Sequence, residues 1–175
     1  LHPAVYTFKK ALFLIHAITI RFGSSDPPKI PLPDTSTFPV FSDNVLPSIL
    51  VHLGVIDLSS ATHDLSHIFP SDADTLALLL ASGEAHRKVD VVAALPKQPP
   101  KDGPVLNTEQ AYILRAAAID ACEQIVEVAK SLEGAPDWVH SMALPDLDMW
   151  IWAVAKDRRD YRQLGRFVLR NTIMF

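Results

Sequence analysis

The stretch that decides the fold reads Asn107-Thr108-Glu109-Gln110-Ala111-Tyr112-Ile113-Leu114-Arg115-Ala116-Ala117-Ala118-Ile119-Asp120-Ala121-Cys122-Glu123-Gln124-Ile125-Val126-Glu127-Val128-Ala129-Lys130-Ser131-Leu132-Glu133-Gly134-Ala135-Pro136. Asn107 and Gln110 have the spacing of a reciprocal N-terminal cap, in which each side chain satisfies the other's backbone N–H. Apolar residues then recur at Ala111, Leu114, Ala118, Ala121, Ile125, Val128 and Leu132, the period of an α-helix. Gly134 and Pro136 close it. A long helix with one apolar stripe needs other elements to cover that stripe. The pattern therefore predicts a mostly α fold, a compact helical domain.

The flanking segments agree. Residues 146–156 read as another helix, followed by a basic stretch. The tail 167–175 is rich in β-branched and aromatic residues, which suits a strand or an extended buried tail. Residues 84–104 mix charges of both signs with Pro96, Pro99, Pro100 and Pro104, and read as a long exposed loop. Within it, 89–95 could pair as a short strand. Residues 58–69 and 72–82 read as two short helices, the second capped by Ser71 or Asp72. Residues 44–53 read as a helix with Ser42 or Asp43 as N-cap, Pro47 in the first turn and Gly54 as the stop. Residues 24–39 carry Pro27, Pro28, Pro31, Pro33 and Pro39, a density no helix survives. They are expected to form an ordered, proline-rich loop.

The first apolar stretch, 8–22, is interrupted by Lys9, Lys10, His16 and Arg21. Its uninterrupted apolar content falls well short of the roughly 20 residues that span a bilayer. A leader peptide is the alternative, but Arg21 and Phe22 suit a cleavage site poorly. The expectation is a buried amphipathic helix within one helical domain over 1–175.

Composition bounds the function. The chain has 175 residues, 49% of them hydrophobic and 21% charged, with a formal net charge of -4. That is too apolar for a disordered chain. It also lacks the basic footprint of a protein that grips nucleic acid through phosphates, so neither direct nucleic-acid binding nor membrane attachment is expected. The single cysteine, Cys122, excludes an intrachain disulfide framework. No glycine-rich phosphate loop and no nucleophile elbow is present.

Several residues could carry chemistry, each with a plainer alternative. Phe41-Ser42-Asp43-Asn44 lies at a loop-to-helix junction, where a carboxylate is favoured by the helix dipole. Asp43 there either caps or acts, and Phe41 is either core or one wall of a slot for a flat ligand. Asp148 and Trp152 are four residues apart, so they share a helical face. A ring beside a carboxylate can hold a planar base and hydrogen-bond its edge. The alternative is a core tryptophan beneath an N-cap made by Asp146 or Asp148. His63-Asp64 and His67 offer a metal-pair spacing. Lys9 and Lys10 are either both solvated, or one of them reaches a phosphate as a point charge, Lys10 being the candidate. Arg115 and Arg170, in apolar surroundings, either pair internally or face a ligand.

The order of these segments carries a resemblance. Phe8-Lys9-Lys10-Ala11 is followed by Phe38-Pro39-Val40-Phe41-Ser42-Asp43, then Leu114-Arg115-Ala116-Ala117. Leu147-Asp148-Met149-Trp150-Ile151-Trp152 comes next, and Thr172-Ile173-Met174-Phe175 ends the chain. Together they resemble the C-terminal half of the queuosine salvage family, the queuosine 5′-phosphate N-glycosylases that release queuine for tRNA modification. The resemblance spans nearly the whole chain and about half of a family member. The departures are Asn44-Val45 where the family has tyrosine-arginine, Ala111 and Ile113 where it has acidic residues, and Met174-Phe175 where it has two tyrosines.

The resemblance implies an all-helical fold similar to helical DNA glycosylases, in the cytoplasm, with no metal and no cofactor. The implied ligand is queuosine 5′-monophosphate, and the family's N-terminal half is an implied partner. It further implies that Asp43 stabilises an oxocarbenium-like transition state and handles the water. Asp148 would hydrogen-bond base or ribose, Phe41 and Trp152 would be walls, and Lys10 with Arg170 would meet the phosphate. Two other readings stay open. A non-catalytic interaction module expects Asp43 and Asp148 to lie apart, each merely capping. A metal phosphohydrolase expects a centre at His63, Asp64 and His67.

Overall fold

The structure, a computed structural model, describes residues 8–25, 27, 30–69, 76, 77, 79 and 101–172. It is mostly helical. Helix α1 spans Lys9–Phe22 and α2 spans Val45–His52. Strand β1, Asp102–Leu106, leads into the long helix α3, Thr108–Lys130. A one-turn helix α4, Asp137–His140, precedes α5, Leu144–Asp157. Another single turn, α6 (Arg159–Arg162), precedes strand β2, Arg166–Leu169.

The reciprocal cap of α3 forms as the spacing predicts. Asn107 Oδ1 accepts the Gln110 N–H at 2.9 Å, and Gln110 Oε1 accepts the Asn107 N–H at 3.0 Å. The inward stripe matches at Ala111, Leu114 and Ala118, then continues through Cys122, Val126 and Ala129. Ala121, Ile125, Val128 and Leu132 instead line an open groove of about 680 Å³ beside α4 and α5. The helix thus carries two apolar stripes, and the sequence period alone follows one into the other.

Helix α2 is apolar all round and is buried accordingly. Val45, Leu46, Ile49 and Leu50 meet Ala118, Cys122 and Val126 of α3 and Leu147, Ile151 and Ala155 of α5 in one core. A second cluster joins Leu65, Phe69, Leu106, Ala111, Leu114 and Phe167. Helix α2 also fastens the C-terminal strand. Asn44 Nδ2 donates to the Phe167 carbonyl at 3.0 Å, the Phe167 N–H donates to Ser48 Oγ at 3.1 Å, and His52 Nε2 bonds the Gly165 carbonyl at 2.9 Å. These bonds occupy one edge of the 165–167 segment. On the other, β2 pairs in parallel with β1, Val105 opposite Val168 and Leu106 opposite Leu169. Gly103 makes the close approach feasible, since a Cβ there would sit 2.8 Å from the Arg166 backbone.

Several expectations need correction. Residues 58–69 form turns, not a helix, because His63 and Asp64 both adopt left-handed φ of 58°. Residues 102–104 belong to β1 rather than to an exposed loop; 84–100, with the expected strand at 89–95, lie outside the described residues. Most of 72–82 also lies outside, with Leu76, Ala77 and Leu79 helical. Helix α5 begins ahead of residue 146, since Pro145 suits its first turn and Asp146 Oδ2 accepts the Ala143 N–H at 3.0 Å. The tail does form a strand, but from Arg166; residues 173–175 lie outside. Helix α1 is not buried: His16 is its one buried residue, while Phe8, Leu14 and Ile20 are exposed. The 24–39 segment is irregular where described, as expected.

Candidate active site

Asp43 sits one residue before the N-cap of α2, and both its oxygens are engaged. Oδ1 accepts the Val45 N–H at 2.8 Å, while Oδ2 pairs with the Lys9 ammonium. The N-cap position belongs to Asn44, whose side chain makes no cap bond and serves β2 instead. Asp43 therefore caps in part and also belongs to a charged cluster.

The loop that carries Asp43 is clamped from α3. Arg115 Nε donates to the Ser42 carbonyl at 3.0 Å, and Ser42 Oγ donates back to the Arg115 carbonyl at 3.1 Å. Burial lowers the basicity of Arg115, and Asp43 opposes that shift. Arg115 thus positions the loop. Phe41, 2% exposed, is roofed by α1: Phe13 meets its ring edge-on at 5.7 Å and His16 tilts over it at 5.6 Å. His16 Nδ1 bonds Thr35 Oγ1 at 2.8 Å, and its Nε2 is buried without a hydrogen-bond partner among the described residues.

Asp148 enters from the second turn of α5 and is 5% exposed. Its carboxyl is pushed up to about 6, by burial first and by the neighbouring Asp43 second; Lys9 and the Phe41 N–H pull the other way. Its charge reaches Cys122, whose thiol is pushed up to about 12, mainly by burial. Two carboxylates from separate elements thus act on one another in a largely dry site. One turn on, Trp152 is half-buried, and the Lys156 ammonium lies 3.0 Å from its ring centroid. Burial and Arg166 lower the basicity of Lys156, while Asp43 raises it.

The structure therefore brings together Phe41, Asp43, Arg115 and Asp148, with Trp152 on the same helix as Asp148. It does not bring in the other two candidates. Lys9, not Lys10, reaches Asp43, and Lys10 is exposed on the helix beside it. Arg170 is exposed in the turn after β2. Reasoning from sequence chose Lys10 over its neighbour Lys9 and missed His16, Lys156 and Arg166. A signal existed for Lys9 and His16: they are seven residues apart, hence on one helical face, and Lys10 is not on it. For Lys156 the signal was its four-residue spacing from Trp152.

The metal spacing is not realised. His63 and Asp64 lie in the left-handed turn, and His63 faces Glu109 at 3.6 Å. Among the described residues no group of His, Cys, Asp and Glu is placed to hold a metal ion, and no helix is long and apolar enough to cross a membrane. Comparison with known proteins found no match to any protein-family model, curated protein or solved structure.

Proposed function

We propose that this chain carries the hydrolytic site of an N-glycosylase acting on queuosine 5′-monophosphate and releasing queuine. The observation that supports this most is the meeting of Asp43 and Asp148. A pure interaction module would leave each as an isolated cap. Here Asp148 caps nothing, and its carboxyl is shifted by burial and by Asp43. Perturbed carboxyls cluster where chemistry needs them.

Two carboxyls in different environments divide the work. Asp43, held by Lys9 and by the start of α2, supplies the negative charge that favours an oxocarbenium-like centre. It also receives a proton from water. The water oxygen bonds to the anomeric carbon, the carbon–nitrogen bond breaks, and its electron pair leaves with the base. Asp148, raised to about 6, holds a proton over part of the neutral range and hydrogen-bonds or protonates the departing base. Trp152, one turn on from Asp148, is the half-buried flat surface beside these groups, while the Phe41 ring is packed beneath Phe13 and His16. The mostly helical fold is the fold class that the resemblance to the queuosine salvage family implies.

The test is direct. The chain is mixed with queuosine 5′-monophosphate and free queuine is followed by mass spectrometry, beside Asp43→Asn. The expected loss in the variant is about 10²–10⁴-fold, the usual worth of a positioned acid or base. Equal release by both proteins would move the central role to Asp148. No release and no nucleotide binding by a folded sample, with release by a longer chain that includes the family's N-terminal half, would make the site a shared one. Silence from both would leave the interaction module.

A further inference from the structure

Helix α1 carries an apolar stripe on the side that its own chain does not use. Ala11, Leu14, Ile15, Ile18 and Phe22 follow the spacing of one helical face, and all but the half-buried Ile18 are exposed. Lys9 and His16 lie on the opposite face and fasten the helix to Asp43 and Thr35. Arg21, exposed, stands three residues on from Ile18 and so borders the stripe. The helix holds no acidic residue.

The groove between α3, α4 and α5 is its complement. Ile125, Val128, Leu132, Trp138, Met142 and Trp150 line it, and its one charged lining residue among the described residues is Asp120. The exposed Glu133 and Asp137 adjoin Leu132 and Trp138. Val128, Leu132 and both tryptophans are exposed, and such a contiguous apolar surface marks an interaction site. Tryptophan and methionine are side chains that anchor interfaces. Along α3 the wall runs from Ala117 to Ala129, about 18 Å, and the α1 stripe from Ala11 to Phe22 is about 17 Å long. No residue of α1 lines the groove of its own chain.

We propose that α1 of one copy lies in the α3–α5 groove of a second copy, so that the chain self-associates. A helix in a groove is held by apolar anchors at i, i+3, i+4 and i+7, which Ala11, Leu14, Ile15 and Ile18 supply. Charge selects this occupant. The basic helix brings Arg21 to a groove whose wall carries Asp120, whereas the chain's net charge of -4 disfavours an anionic lipid surface as the partner of the stripe. The two copies use different faces, so the contact closes when two copies exchange helices and extends into longer assemblies when they do not. The inner face of α1 keeps its hold on Asp43 and Thr35, so the inference does not rest on the glycosylase reading.

The test is sedimentation of the full chain over a range of concentrations. The mass is expected to climb from the 19.3 kDa of one chain to that of two or more. Leu14→Asp on the stripe and Val128→Asp in the groove should each weaken the association about tenfold or more, as loss of an interface anchor does. Both positions are exposed, so each variant should fold, which circular dichroism checks. Ile15→Asp and Leu132→Asp are the second pair if either does not. Association adds to apparent stability only above its dissociation constant, so unfolding in dilute solution reads the single chain.

Mixing the two variants decides the geometry. The Leu14→Asp copy keeps an intact groove and the Val128→Asp copy keeps an intact stripe, so together they should pair, and stop at two chains, where neither associates alone. Emission from Trp138 and Trp150 should shift to the blue in the mixture as the groove of the first copy fills. A mixture no better than its parts would mean that like faces meet, and would overturn the helix-in-groove contact. A single-chain mass at every concentration would overturn self-association. Should such a single chain instead sediment with anionic phospholipid vesicles, the stripe belongs to a lipid surface, and the inference fails in favour of that occupant.

Discussion

Helices α1 and α2 are both apolar, both border the candidate site, and meet opposite fates. Helix α2 buries every residue from Val45 to Leu50, while α1 buries His16 alone and leaves Leu14 59% exposed. Hydropathy sets how much burial a helix can use; neighbours set how much it receives. Helix α2 is enclosed by α3, α5 and β2. Helix α1 is held by side chains that reach the 35–43 loop: Lys9 on Asp43, His16 on Thr35, and Phe13 and His16 on Phe41. The site is thus built from a firm side, which fixes the two aspartates, and a lightly fastened side, which supplies Lys9. Such an arrangement suits a site that must admit a ligand, because segments with few buried contacts open at the lowest cost.

The largest stability effect should come from the firm side. Leu50 is 1% exposed at the centre of the main core. Leu50→Ala should cost about 2–5 kcal/mol, the transfer term plus the cavity left behind. Urea unfolding should show a lower midpoint at unchanged slope. A loss below about 1 kcal/mol would mean that α2 is not the scaffold it looks to be, since even modest core truncations cost about that much.

The site itself should trade stability for its buried charge, and pH exposes the trade. Asp148 titrates at about 6 in the folded protein against an ordinary value of 3.8. Between those values the folded chain binds more protons than the unfolded one, so stability falls as pH rises through that window. Above it, the buried carboxylate costs about 3 kcal/mol; below about pH 4 the cost disappears. Asp148→Asn lacks the charge and keeps an oxygen for the Phe41 N–H. The variant should be more stable than wild type near pH 8, by up to about 3 kcal/mol, and equal to it near pH 4. Chemical denaturation at the two pH values reads this. A variant less stable at both would show that Asp148 is paired in the fold and not merely desolvated.

The same contrast explains what the sequence disclosed. Capping and period are local properties, so α3, its Asn107–Gln110 cap and the helix around Asp148 and Trp152 were legible. Asp43 and Asp148 were legible as candidates, since their neighbours set them apart. Their meeting was not, because it depends on α2, α3 and α5 packing together across distant stretches of chain. The turn at His63-Asp64 was hidden because neither residue is a glycine, the usual sign of a left-handed backbone. The role of Asn44 became clear only through the Phe167 carbonyl far along the chain. The choice between Lys9 and Lys10 depended on helical phase. His16 marks that phase once the helix is known to be buried along one narrow face.

The smallest effect should come from the outer face of α1, and it is the sharpest check on the comparison. Leu14 points away from the face that carries Lys9 and His16, and it is 59% exposed. Leu14→Gln removes apolar surface that water already reaches, so unfolding free energy should change by no more than about 0.5 kcal/mol. Leu50→Ala is the matched probe inside α2. A small change at Leu14 beside a large one at Leu50 is the signature of one fastened and one enclosed helix. Comparable losses at the two positions would mean that something in the folded protein covers the outer face of α1. Lys9 would then be presented to Asp43 from a second firm wall.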